Sequence, residues 1–278
     1  MSNFCKEILV SARFSVRYGE KPPVLRQAEL EIRQGEVLGL VGQSGSGKST
    51  LAMSMLGLLD TKRTTTEGTI KFQGCDLLQL REREWRATRG RRISLVLQSP
   101  LSSLNPALRI RRQLKEAWRA HAKGSNVECD QKIAAALGSV SLPSNDEFLR
   151  KYPSQMSVGQ AQRVLIAMAV MHRPALLIAD EATSALDVIT QSEILALFAQ
   201  LNREIGMAIL YISHDLPSVA GICDRIAILH EGEIVECGTR EQIFASPQHE
   251  YTRRLMAALP QMPLSCAILK KDAAAGAF

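Results

Sequence analysis

Eight consecutive residues, Gly42-Gln43-Ser44-Gly45-Ser46-Gly47-Lys48-Ser49, fit the spacing G-x-x-x-x-G-K-[ST]. Glycines at that spacing let backbone N–H groups converge on phosphate oxygens, and a helix that starts there adds the positive end of its dipole. In such a loop Lys48 reaches the terminal phosphates and the Ser49 hydroxyl ligates Mg²⁺. A mere glycine-rich turn has no use for a lysine at this place. The expected chemistry is binding of a nucleoside triphosphate by Gly42, Ser44, Gly45, Ser46, Gly47, Lys48, Ser49 and Thr50. Further along, Leu176-Leu177-Ile178-Ala179 runs into Asp180-Glu181. A buried strand that ends in an aspartate brings it beside the phosphate loop, where it can hold Mg²⁺ or its waters. Glu181 then stands where a general base polarises the attacking water. Strand ends often carry acidic turn residues, so it is the phosphate loop upstream that makes a site of this pair.

These residues need strands and a helix to position them. Val37-Leu38-Gly39-Leu40-Val41 reads as an apolar strand entering the loop, and Lys48–Leu59 as the helix leaving it. Other strand signals lie at Glu7–Phe14, Gly68–Phe72, Arg92–Leu97, Ala175–Ala179 and Met207–Ile212, with a helix over Thr190–Glu204 between the last two. Strands alternating with helices imply a parallel sheet. Asp224–Leu229 and Glu233–Cys237 flank His230-Glu231-Gly232 as a hairpin. From about Ser99 to Ser157 strand runs vanish and helical periodicity takes over, as in Ala107–Ala122 and Glu128–Leu137, which reads as a helical insertion. The tail after Pro260 is expected to be loose.

The 278 residues suit about two domains at most. Hydrophobic residues at 46% and charged ones at 22% exclude a largely disordered or fibrous chain. No run approaches the roughly 18 uncharged apolar residues of a membrane span, and no signal-peptide stretch follows Met1. Cys5, Cys75, Cys129, Cys223, Cys237 and Cys266 are scattered with no Cys-x-x-Cys pair, as thiols of a reducing compartment are. The expectation is a soluble protein facing the cytosol.

Taken together the motifs resemble those of ATP-binding-cassette (ABC) ATPases, over nearly the whole chain. The resemblance implies an α/β fold with a P-loop core sheet, an N-terminal antiparallel β-subdomain and an inserted helical subdomain. It divides the chain into an ATPase domain (1–246, the insertion at about 99–157) and a short C-terminal extension (247–278). It also implies roles. Tyr18 matches the adenine-stacking aromatic, Gln98 the glutamine that senses γ-phosphate and Mg²⁺, and His214 the histidine that contacts γ-phosphate. Asp187, in Ser184-Ala185-Leu186-Asp187, matches the loop that crosses to the partner ATPase. Ser157, Gly159 and Gln160 belong to a signature that reaches the ATP of that partner. The family's usual Leu-Ser-Gly-Gly-Gln is Met156-Ser157-Val158-Gly159-Gln160 here. A β-branched residue resists any conformation with φ > 0 and its Cβ crowds an approaching phosphate, so the site that this signature completes is expected to be impaired. Ala182 replaces the proline usual after the glutamate, which loosens the turn without removing a ligand.

Gln98-Ser99-Pro100-Leu101-Ser102-Ser103-Leu104-Asn105-Pro106 and Ser246-Pro247-Gln248-His249-Glu250-Tyr251-Thr252-Arg253-Arg254-Leu255 are similar to segments of peptide- and nickel-importer ATPases. Some of those relatives hold an iron–sulfur cluster in the extension. Cys266 alone cannot supply four thiolates, and no cluster is expected. Arg81, Arg83, Arg86, Arg89, Arg91 and Arg92, then Arg109, Arg111 and Arg112, contribute to a net charge of +6. They read as a solvated helix face or as a contact with lipid or a membrane partner. Trp85 alone among them gives no stacking platform for nucleic acid.

The resemblance thus implies an ATP- and Mg²⁺-dependent motor of a binding-protein-dependent importer for peptides, nickel or metal chelates, peripheral on the cytoplasmic face of the inner membrane. Its implied partners are a second ATPase subunit, different from this one, two membrane-spanning permeases and a substrate-binding protein. The rival reading is an ATPase-like subunit of a soluble enzyme complex such as phosphonate carbon–phosphorus lyase.

Overall fold

Unbroken apolar runs build the centre of the molecule. In the computed structural model, which describes residues 7–258, the strands are β1 (Ile8–Tyr18), β2 (Leu25–Arg33), β3 (Val37–Val41), β4 (Thr64–Phe72), β5 (Cys75–Asp76), β6 (Ile93–Val96), β7 (Leu176–Asp180), β8 (Ala208–Ser213), β9 (Arg225–His230) and β10 (Glu233–Thr239). One sheet has the order β2-β1-β4-β5 and is antiparallel. The other has the order β10-β9-β3-β8-β7-β6, parallel except for the β9–β10 hairpin. Both faces of the parallel strands are covered, which is why their sequences do not alternate with polar residues. Leu38 and Leu40 of β3 and Leu210 and Ile212 of β8 meet Phe14, Ile70 and Phe72 of the antiparallel sheet. Val37, Val41, Ile209 and Tyr211 point the other way, into a cluster with Val164, Phe198 and Val219 of the covering helices.

Those helices are α1 (Lys48–Met55), α2 (Glu82–Thr88), α3 (Pro100–Ser103), α4 (Ile110–Arg119), α5 (Asn126–Ser139), α6 (Asp146–Leu149), α7 (Val158–Val170), α8 (Val188–Ile205), α9 (Leu216–Ile222), α10 (Arg240–Ala245) and α11 (Glu250–Ala257). No helix among the described residues is long and apolar enough to cross a membrane.

The element boundaries differ from the sequence expectation where a single residue intervenes. Helix α1 stops at Met55 rather than Leu59, because Gly57 adopts φ +58° and closes a Schellman cap, Leu58 N–H donating to Met53 O and Gly57 N–H to Ser54 O. Arg89 then donates to the freed carbonyls of Leu56 and Gly57, each at 2.7 Å, while its guanidinium lies over Trp85. This arginine of the basic run is part of the fold. Arg111 and Arg112 are ion-paired to Asp146 and Glu116. Helix α4 begins at Ile110 rather than Ala107, since the Asn105 side chain captures the Ala107 N–H at 3.0 Å in a turn. It buries Ile110, Leu114 and Trp118, one stripe of a 3.6-residue period. The strand expected over Glu7–Phe14 runs on to Tyr18. Strand β2 is not among the expected strands, although Ala28–Arg33 alternates apolar and polar residues; a bulge at Gln27, at φ +44° opposite Ser15, sets Leu25 out of step with that alternation. The end of the chain after Pro260, with Cys266, lies outside the described residues, as does Cys5.

Candidate active site

Parallel register brings three strand ends to one edge. Val41 pairs with Ser213, and Asp180 pairs with Ile212. The residues that follow β3, β7 and β8 therefore leave the sheet side by side: the Gly42–Gly47 loop, Glu181 and His214. Ligand sites of open α/β sheets form at such carboxyl ends.

The loop is wound closely around its own lysine. Lys48 Nζ donates to Gly42 O at 2.8 Å and to Gln43 O at 3.0 Å. No side chain fits at position 42, where a Cβ would lie 2.3 Å from Leu229 O and 2.7 Å from Ser46 Oγ. Gly47 takes φ +109° as the N-cap of α1, a conformation that L side chains rarely adopt. Lys48 is buried, and burial pulls its pKa below the usual lysine range, partly opposed by Glu181 and Asp180.

Asp180 is only 6% exposed. Burial raises its pKa, the neighbouring Ser49 hydroxyl lowers it, Glu181 raises it again and Lys48 has the smallest, lowering influence. Its Oδ1 and the Ser46 hydroxyl oxygen are both buried without a hydrogen-bond partner. Buried polar atoms left unpaired are costly. An acidic oxygen and hydroxyls at the mouth of an N–H-lined loop suit a hard divalent cation and phosphate oxygens. The residues present therefore fit Mg²⁺ and a nucleotide triphosphate.

Glu181 donates its N–H to Ile212 O at 2.9 Å and holds φ +48°, costly for a side chain of this kind and typical of functional turns. Its Oε1 lies 3.2 Å from His214 Nδ1. The turn is closed without the usual proline: Ala182 is buried, and Ser184 donates to Glu181 O through its N–H at 3.1 Å and its hydroxyl at 3.0 Å. Beneath it lies a polar network that the sequence hid inside an apolar strand. Tyr211 OH bonds Thr183 Oγ1 at 2.8 Å and Ser218 Oγ at 3.3 Å, and Ser213 Oγ accepts the Asp215 N–H. A tyrosine within the run Met207–Ile212 was its only signal.

The other expected residues sit on other elements. Tyr18 is half-buried at the end of β1. Gln98 does not end its strand: β6 stops at Val96, and Gln98 is exposed in the loop toward α3. Ser157 caps α7, accepting the Gln160 N–H at 3.2 Å while Gln160 Oε1 accepts the Ser157 N–H at 3.3 Å. Val158 is the first residue of that helix and its φ is not positive, so the conformational objection to a β-branched residue does not arise. Only its 38% exposed side chain at the helix N-terminus remains to crowd a phosphate. Asp187 caps α8 through the N–H groups of Ile189 and Thr190 and also accepts the Thr190 hydroxyl at 2.7 Å, bonds that lower its pKa.

A glycine-wound phosphate loop and an Asp-Glu strand end on one parallel sheet define a P-loop nucleotide-binding protein. The chain belongs to the ABC transporter family, whose model matches residues 25–184. It is 40% identical over 253 residues to the dipeptide transport ATP-binding protein DppD of Bacillus subtilis (strain 168), across 91% of this chain and 76% of that one. It is 46% identical over 232 residues to the peptidoglycan transport ATP-binding protein YejF of Agrobacterium fabrum (strain C58 / ATCC 33970), across 83% of this chain but only 42% of YejF. Among solved structures it is similar to the ATP-binding cassette MJ0796, seen as a dimer in a post-hydrolysis state bound to ADP and Pi. There the TM-score is 0.72 at 27% identity, with 84% of this chain and 99% of that one covered. The fold is thus an ABC ATPase cassette, with an antiparallel β-sheet packed on the P-loop sheet.

Proposed function

We propose that this chain is the ATP-binding and hydrolysing subunit of a binding-protein-dependent importer for peptide-type solutes. The observation that carries the reading is the convergence of Lys48, Asp180, Glu181 and His214 at one edge of the parallel sheet. Membership of the ABC transporter family supports hydrolysis of ATP coupled to transport. The similarity to a dipeptide transport and a peptidoglycan transport ATP-binding protein, DppD and YejF, supports a peptide-type cargo. They lend no support to nickel or metal chelates.

In this reading the loop N–H groups and Lys48 hold the phosphates, and Tyr18 stacks on the base. Ser49, Asp180 and Gln98 hold Mg²⁺, which when bound neutralises charge developing on the phosphates. Glu181, on its strained backbone at the strand end, polarises the attacking water. His214 steadies that carboxylate through Nδ1 and reaches the γ-phosphate. Ser157, Gly159 and Gln160 serve the ATP of a second ATPase chain, which Asp187 also faces. Two permeases and a substrate-binding protein complete the assembly, and the chain sits peripherally on the cytoplasmic face of the membrane.

The test is affinity purification of the chain from gently solubilised membranes, with mass spectrometry of its companions. Two polytopic membrane proteins and a second ATPase are expected. A soluble enzyme assembly without membrane proteins would overturn the transport reading and favour the carbon–phosphorus lyase type of complex.

A further inference from the structure

The segment Pro247-Gln248-His249-Glu250-Tyr251-Thr252 has no part in the nucleotide chemistry described above, yet it is fixed firmly. Glu236 of β10 accepts the N–H groups of Gln248 and His249 at 2.8 and 3.0 Å. His249 Nδ1 caps α11 by accepting the Tyr251 N–H at 3.2 Å, and Thr252 is wholly buried. These bonds set the Tyr251 ring flat on His230, with centroids 3.7 Å apart and planes 15° from parallel. His230 ends β9, and the carbonyl of the preceding Leu229 is the one that Gly42 packs against. The stack therefore abuts the entry to the phosphate loop.

The Tyr251 hydroxyl is buried and closes no hydrogen bond of full geometry. Burial pushes the phenol pKa up, and the nearby Gln43 backbone draws it back down. The carbonyl of the same Gln43 accepts from Lys48 on the inner side of the loop.

We propose that Tyr251 is a positioning residue of the nucleotide site: stacked on His230, it braces the Gly42–Gln43 turn from outside while Lys48 holds it from inside. The C-terminal helix α11 thereby sets nucleotide affinity. This rests on the reading that the loop binds ATP.

The test is calorimetric binding of Mg²⁺-ADP to the full chain and to Tyr251→Leu, Tyr251→Phe and His230→Leu, with thermal melting of each. Tyr251→Leu and His230→Leu are expected to weaken ADP about three- to tenfold, the loss of the ring stack that both variants share. Tyr251→Phe keeps the stack and the fold, and falls between Tyr251→Leu and wild type. The double variant is expected to be no weaker than either single one, since both act through one stack. Variants that melt earlier yet bind ADP with wild-type affinity would overturn the proposal and leave Tyr251 a packing residue. A wild-type chain that binds no ADP would instead sink the nucleotide reading itself, and this inference with it.

Discussion

The carboxyl of Asp180 is buried, one of its oxygens is unpartnered and its pKa is raised, chiefly by that burial. A folded-state pKa above the unfolded one means that the folded chain keeps this proton to higher pH. Stability from the protonated form is complete below the unfolded pKa and is lost as pH rises through the folded pKa. At neutral pH the ionised Asp180 thus works against the nucleotide-free fold, a cost that the proposed Mg²⁺ would offset. Asp180→Asn is expected to raise the melting temperature of the nucleotide-free chain at pH 7 by about 2–4 °C, while Mg²⁺-dependent ATPase activity falls by at least about a hundredfold. The gain in melting temperature narrows as the pH is lowered toward the folded-state pKa of Asp180. Melting scans across pH on both proteins check it, and a gain that stays constant with pH would refute the argument.

Helix α7 meets the first turn of α8 at Gly159. A Cβ there would lie 2.8 Å from Thr190 Cγ2, and Thr190 is held in place by its bond to Asp187. Gly159→Ala is expected to cost about 1–3 kcal/mol of stability through overpacking. Thr190→Ser removes the clashing methyl and keeps the hydroxyl, so denaturant unfolding of the double variant should recover most of that loss. An uncorrected double variant would show that Gly159 answers to something other than α8. This contact could not be read from the sequence, because it joins Gly159 on one helix to Thr190 on the next. The same holds for the Tyr211–Thr183–Ser218 network, concealed in a run that looks simply apolar. What was legible had local causes. Strands β3, β7 and β8 announce themselves as unbroken apolar runs, and the phosphate loop carries its glycines and lysine within eight residues. The end of α1 was not legible because Gly57 imposes a left-handed backbone that periodicity does not encode, whereas most of β2 was legible in the alternation of Ala28–Arg33, which only the bulge at Gln27 interrupts.

At the scale of the assembly, the proposed reading has the Ser157–Gln160 signature complete an ATP site held by a second ATPase chain, so the departure at Val158 would be felt outside this molecule. Its backbone is ordinary first-turn helix, and Ser157 and Gln160 keep their reciprocal capping bonds. The helix N-terminus is therefore intact, and on that reading the handicap is limited to the exposed side chain of Val158 there. In a homodimer both ATP sites would face a valine. Paired with a different ATPase whose signature is intact, this chain keeps its own Lys48–Asp180–Glu181 site fully served and only the partner's site is slowed. The heterodimer is the arrangement in which one unimpaired site survives. In the purified complex, Val158→Gly is expected to raise the ATPase rate, by up to about twofold as the slowed site joins the other. The new glycine in the first turn costs α7 about 0.5–1 kcal/mol, which a melting scan registers separately. A complex containing two copies of this chain and no other ATPase, turning over at a rate that Val158→Gly leaves unchanged, would overturn the heterodimer and clear the valine of any effect on phosphate.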